Sequence, residues 1–192
     1  MARPREFQPD IALESLKRAF WEKGYHGTSM QDLEAATGLR KQSLYREFGN
    51  KDSMYARALQ LYCDKDMAQL SEVIMRAPTA YERFRDLFYV VLAPVRLGDR
   101  YGCFVCNAAI DHAGEDSATM QAVKEGIEGT IALFDRALAI SAPYKENQTL
   151  RAQTATSLAT SYFGLRVMVR GGIPLESLLD TVRIVLKGID NA

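Results

Sequence analysis

Long apolar runs are missing from this chain. No uninterrupted stretch approaches the about 18 residues that would suggest a membrane span. The opening residues, MARPREFQPD, are charged and hold no apolar core of a secretion signal, so a cytoplasmic location is the expectation. Cysteine is scarce, with only Cys63, Cys103 and Cys106. An odd, small number of this kind is not a disulfide framework. Net charge is absent too: 24 Lys and Arg stand against 24 Asp and Glu. Period-two alternation of apolar and polar residues is rare, which argues against a sheet. Gly-rich phosphate loops, nucleophile elbows, internal repeats and low-complexity tracts are likewise not found.

What remains is helical periodicity. Apolar residues make up 47% of 192, enough for one mid-sized domain or two small ones sharing a helix. Asp10 is a candidate cap for a first helix, with Ile11, Leu13, Leu16, Phe20 and Trp21 as its stripe. Thr28 or Ser29 can cap a short second helix, 30–36, closed by Gly38, and 41–48 forms a short third. Asn50 can cap a long fourth helix, 51–76, and Thr79 a fifth, to about 95. A short helix over 102–113, a loop over 114–117 and long helices over 118–142, 147–170 and 174–188 complete the pattern. The expectation is an all-α chain of about nine helices. Residues 1–50 would form a three-helix unit, with 51–76 a helix linking it to a larger helical domain over 51–192.

Residues 29–48, SMQDLEAATGLRKQSLYREF, carry the strongest signal. Two short helices joined by a glycine-containing turn make a helix-turn-helix. Leu33, Ala36, Leu39, Leu44 and Phe48 are spaced to pack on the first helix, leaving Lys41, Gln42, Ser43, Tyr45, Arg46 and Glu47 outward. Such a helix fits the major groove, roughly 12 Å wide. Lys41 and Lys51 can neutralise phosphates, and the hydroxyls of Ser43, Tyr45 and Thr28 can donate to phosphate oxygens. Arg46 and Gln42 can read base edges. Residues 1–62 hold ten Lys and Arg against eight Asp and Glu, so the mild positive excess sits on this segment.

The stretch GYHGTSMQDLEAATGLRKQSLYREFGNKDSMYARAL resembles the DNA-binding region of the TetR family of regulators. The likeness covers about residues 10–62 and rests on Gly24-Tyr25, Thr28, Gly38, Leu44-Tyr45, Phe48 and Lys51. It implies that Lys41, Ser43, Tyr45 and Lys51 contact phosphates, while Gln42 and Arg46 face bases or nearby backbone. Arg40 stands where Ser or Thr often caps the third helix, Gln42 where Gly is common and Glu47 where His is common. Those departures bear on the operator sequence.

The resemblance also implies a homodimer through the last two long helices, 147–170 and 174–188. Leu158, Tyr162, Leu165, Val169, Leu178, Val182, Val185 and Leu186 are more apolar than a solvent-facing pair needs, although an intrachain core would look alike. Two heads related by a two-fold axis would read a palindromic double-stranded operator. The middle helices would enclose a small-molecule effector; Phe88, Leu92, Phe104, Met120, Ile127 and Phe134 are lining candidates, or plain core. The segment GCFVCNAAID resembles a cysteine-containing stretch of some TetR-like regulators. Cys103 and Cys106 would share a helix face, and a helix start would favour the Cys103 thiolate, giving redox or electrophile sensing. The other reading is two buried small apolar residues. No metal and no cofactor are expected, since Cys103, Cys106 and His112 lack a fourth ligand. An effector preferring one of two dimer states would release DNA, with 51–76 as lever. Two rival classes are an enzyme using Cys103 or Cys106 with His26 or His112, and a DNA-organising dimer without an effector.

Overall fold

The computed structural model describes residues 8–112 and 117–190. The expected loop 114–117 lies outside the described residues apart from Ser117, as does Ala113. Among the described residues there are nine α-helices and no strand: α1 (Pro9–Lys23), α2 (Met30–Thr37), α3 (Lys41–Phe48), α4 (Lys51–Ile74), α5 (Ala80–Leu92), α6 (Phe104–Asp111), α7 (Ala118–Leu138), α8 (Gln148–Arg170) and α9 (Leu175–Asp190). A 3-10 turn, Ala93–Leu97, follows α5. None of these helices is long and apolar enough to cross a membrane.

Four helix starts are where their own cap residues put them. Ser29 and Asp32 close a capping box on α2, and Thr79 and Glu82 close another on α5. Asn50 accepts from the Ser53 amide at 2.8 Å, and Asn147 from the Leu150 amide at 2.9 Å. Asp10 is not a cap. Gln8 holds that position, Pro9 occupies the first turn, and Asp10 sits inside that turn beside the positive helix end. Ile11 is exposed instead of buried, and Ala12 takes its place in the core. Helix α9 runs through Gly188, and Pro174 precedes it.

The chain forms two compact units: Met1–Lys65 with Phe104–Lys124, and Asp66–Cys103 with Glu125–Ala192. The change of unit therefore falls inside α4, not at the expected 50/51 boundary, and α6 with the start of α7 joins the N-terminal helices. Burial explains this. Met54, Tyr55, Ala58 and Leu59 of α4 are as fully buried as Leu16, Phe20, Leu33 and Leu44. The Phe104 ring of α6 meets Tyr55 edge-on at 5.2 Å and Tyr62 at 5.7 Å.

The second unit has a continuous apolar core including Phe84, Phe88, Phe134, Tyr162, Leu178 and Val182, with α9 packed on α5 and α8. Two buried arginines serve it. Arg83 is only 5% exposed and donates to the carbonyls of Ala77 (2.7 Å), Pro78 (3.0 Å) and Ala137 (2.9 Å) and to the Ser141 hydroxyl (3.0 Å). It places positive charge on the C-terminal turn of α7, where orphan carbonyls gather. Arg166 donates to both oxygens of Asp66, at 2.9 and 3.2 Å, and to the Gly102 carbonyl at 3.3 Å. Tyr162 donates to Asp66 at 2.8 Å, and burial holds its phenol well above the ordinary range. Gly102 has φ +69°, and a Cβ there would lie 2.6 Å from the Arg166 carbonyl oxygen, so only glycine lets the chain come this close.

Replacing Arg83 by Met would leave three carbonyls and a hydroxyl without this donor. The expected loss is about 2–3 kcal/mol of unfolding free energy in urea titration. A change below about 0.5 kcal/mol would mean these contacts contribute nothing net.

Candidate nucleic-acid interface

Helix α3 lies on the first unit by its apolar side. Leu44 and Phe48 are 0% and 2% exposed, and Leu33 of α2 is fully buried. The turn before α3 is set by Gly38, which is left-handed and donates its amide to the Glu34 carbonyl at 2.9 Å. Arg40 occupies the α3 N-cap position without a side-chain hydrogen bond. Glu34 supplies the cap instead: its Oε1 accepts from the Lys41 amide at 2.7 Å. At the other end, Arg57 donates to the Glu47 carbonyl at 2.9 Å and stacks over the Phe48 ring. Neither Glu34 nor Arg57 stood out in the sequence, because both reach α3 from other helices.

The remaining face of α3 is polar. Lys41, Gln42, Tyr45 and Arg46 are exposed, Tyr45 to 41%, and Ser43 and Glu47 are half-buried. Lys41 leans over the Tyr45 ring at 5.6 Å. Lys51, the first residue of α4, is half-buried with its ammonium 4.2 Å from the Tyr25 ring centroid. These six side chains other than Glu47 are the expected contacts, and they surround one helix and the next helix start. Ala36, expected in the packing, is exposed, and Leu39 is half-buried.

Thr28 does not behave as expected. It is 1% exposed, and its hydroxyl donates to the Gly24 carbonyl at 2.6 Å. A buried, already committed hydroxyl is not positioned to reach a phosphate; it braces the turn between α1 and α2. A carboxylate braces that turn's neighbour. Asp32 accepts from Lys23 at 2.5 Å, and Lys23, with Ser29, holds its carboxyl far below the usual range.

The other expected sites are distributed over both units. Phe104 and Met120 belong to the first; Phe88, Leu92, Ile127 and Phe134 belong to the second. Phe88, Leu92 and Phe134 are wholly buried core residues, while Ile127 is half-buried. An open groove of about 390 Å³ in the second unit lies elsewhere, against Pro78, Tyr81, Ile140, Tyr144 and Ile189. Cys103 directly precedes α6 and is 1% exposed; Cys106 is half-buried in its first turn, and neither is in a disulfide. Among the described residues no three His, Cys, Asp or Glu side chains converge as a metal set.

On α8 and α9, Leu158, Tyr162, Leu165, Val169, Leu178, Val182 and Leu186 are buried within the single chain. The exposed large apolar side chains here are different ones: Val167 (47%) and Met168 (48%) on α8, Ile173 (38%) in the turn after it, and Ile184 (70%) on α9. Ser157, Thr160 and Gly164 continue the Val167–Met168 face toward the start of α8 at helical spacing.

Comparison with known proteins agrees with this architecture. Residues 12–58 match the family model for bacterial regulatory proteins of the tetR family. The HTH-type transcriptional regulator YezE of Bacillus subtilis (strain 168) is 32% identical over 117 residues, 60% of either chain. The HTH-type transcriptional repressor BdcR of Escherichia coli (strain K12) is 31% identical over 189 residues, covering 97% of this chain and 91% of its own. Among solved structures, a cysteine-substituted TetR family regulator CifR, complexed with 26-bp double-strand operator DNA, superposes with a TM-score of 0.84. It is 30% identical and covers 97% of this chain and 98% of its own. A helix-turn-helix at one end of the chain, an all-helical remainder and likeness along nearly the whole length leave one conclusion: this chain belongs to the TetR family, and it is a DNA-binding transcription regulator, not an enzyme.

Proposed function

We propose that the chain is a repressor: a homodimer whose two α3 helices occupy successive major-groove faces of a palindromic operator, and which an effector releases. The observation that carries this reading is the division of α3, with Leu44 and Phe48 sealed into the core and Lys41, Gln42, Tyr45 and Arg46 left to solvent. That BdcR is a repressor and CifR is held on operator DNA supports it by likeness. In this reading Lys41, Ser43, Tyr45 and Lys51 contact phosphates, fixing register without reading sequence. Gln42 and Arg46 face base edges, Arg favouring guanine and Gln adenine.

Dimerisation is assigned to the exposed side of α8 and α9. Val167, Met168 and Ile184 are large apolar groups in water, and the small residues Ser157 and Gly164 on the same α8 face permit close helix approach. The effector is assigned to the helical domain, among the middle helices that carry Phe88, Leu92, Ile127 and Phe134. A thiol-reactive effector would meet Cys106 more readily than Cys103, because Cys103 is almost wholly covered. Full burial of Phe88, Leu92 and Phe134 favours one other reading, a DNA-organising dimer without an effector. DNA binding that no small ligand or oxidant alters would decide for it.

Lys51→Ala and Tyr45→Phe are expected to weaken binding to every duplex alike. Lys51→Ala should also flatten the log–log salt dependence by about 0.9, one phosphate. Arg46→Ala should change which sequences are preferred, costing about 1–3 kcal/mol at one base pair. Competition binding over a random duplex pool separates the two outcomes; a sequence-selective effect of Lys51→Ala would refute its assignment. Thr28→Val is expected to leave the salt slope unchanged while lowering the melting temperature, which a thermal melt beside the binding curve checks.

Met168→Glu with Ile184→Glu should convert a dimer into a folded monomer by sedimentation equilibrium. A dimer of unchanged strength would place the interface elsewhere.

A further inference from the structure

We propose that Asp111, the last residue of α6, is a positioning residue for DNA binding that acts through Tyr25 on Lys51. Its contacts to Tyr25, His26 and Tyr55 fall within the first unit. The Asp111 Oδ2 accepts from the Tyr25 amide at 2.8 Å and lies 3.4 Å from the Tyr55 hydroxyl. The Asp111 carbonyl is 3.3 Å from a ring nitrogen of His26. Gly24 makes room for this: it has φ +75°, and a Cβ there would already lie 3.1 Å from the same carboxylate oxygen. So α6 grips the turn after α1 by backbone, at the residue whose side chain points to α4.

Tyr25 carries the constraint onward. Its hydroxyl donates to Asp52, and its ring face carries the Lys51 ammonium at 4.2 Å. Tyr55 and His112 fix that ring from the sides, at centroid distances of 5.2 and 4.6 Å. Lys51 and Asp52 are the first two residues of α4. The place of the Lys51 ammonium is therefore set by a tyrosine that a carboxylate 86 positions later in the chain holds by its amide. A rotation or shift of α6 changes the lysine without touching α3. This assignment rests on Lys51 being a phosphate contact and names a residue that regulates it.

A double-mutant cycle on DNA affinity tests it, using the full-length chain and a duplex that the wild-type chain selects from a random pool. Lys51→Ala is expected to weaken binding on the order of tenfold and to lower the salt slope by about 0.9. Asp111→Ala is expected to weaken binding at least about threefold with a matching loss of slope, and to add less than about twofold in the Lys51→Ala background. Asp111→Asn keeps an acceptor oxygen for the Tyr25 amide and should restore most of the affinity and slope that Asp111→Ala loses. A helix at the wrong position, not a missing charge, is at issue; Asp111→Glu keeps the charge, moves the acceptor by one methylene, and gives the same comparison if Asp111→Ala does not fold. Equal penalties for the Asp111 variant in both backgrounds, or none in either, would overturn the proposal while Lys51→Ala still weakens binding. If Lys51→Ala changes neither affinity nor slope, the phosphate assignment itself fails and the proposal falls with it.

Discussion

An eight-residue helix cannot hold itself together in water, and the rest of the first unit follows from that constraint. Helix α3 has two turns to offer, and half of its residues must face outward to be of use. It is held by two apolar anchors, Leu44 and Phe48, and by charged groups from other helices at each end, Glu34 on its first amide and Arg57 on its penultimate carbonyl. With those groups holding the helix, the side chains of Lys41, Gln42, Tyr45 and Arg46 are left exposed.

Polar groups inside each unit repeat the same economy of placement. In the first, the Asp111 carboxylate ties the end of α6 to the turn after α1. In the second, Asp66, Tyr162 and Arg166 form a closed cluster whose guanidinium also reaches the Gly102 carbonyl. The chain passes from the second unit to the first between Cys103 and Phe104, immediately after that anchored glycine. Helices α4 and α7 also contribute to both units. Two of the crossings between the units, in α4 and α7, thus lie within continuous helices.

Much of this was legible in the sequence. Caps at Ser29, Asn50 and Thr79, and the left-handed glycine at 38, are local chemistry, readable from a few neighbouring residues. The outward face of α3 follows from helical period and from the resemblance carried by Gly24-Tyr25, Leu44-Tyr45 and Lys51. What did not show was everything set by contacts distant in sequence. Thr28 looked like a surface hydroxyl because its spacing is that of a cap, yet the turn folds over it. The apolar positions of α8 and α9 looked like an interface, but most belong to the intrachain core, and the exposed ones sit between them on the other face. Asp111, Glu34 and Arg57 are ordinary charged residues until the fold brings their partners to them. Residues 1–50 were the expected first domain with 51–76 as its link; Tyr55 and Phe104 pack together, and the compact units change within that linking helix.

Protection of operator DNA from dimethyl sulfate by the full-length protein addresses the central claim, that α3 reads the major groove. Guanine N7 lies in the major groove and adenine N3 in the minor, so one reagent reports both. The expected result is protection of guanine N7 in two symmetry-related half-sites, about one helical turn or a small multiple apart, with adenine N3 still reactive inside them. Protection of adenine N3 with guanine N7 left open would contradict the assignment of α3 as the reading helix.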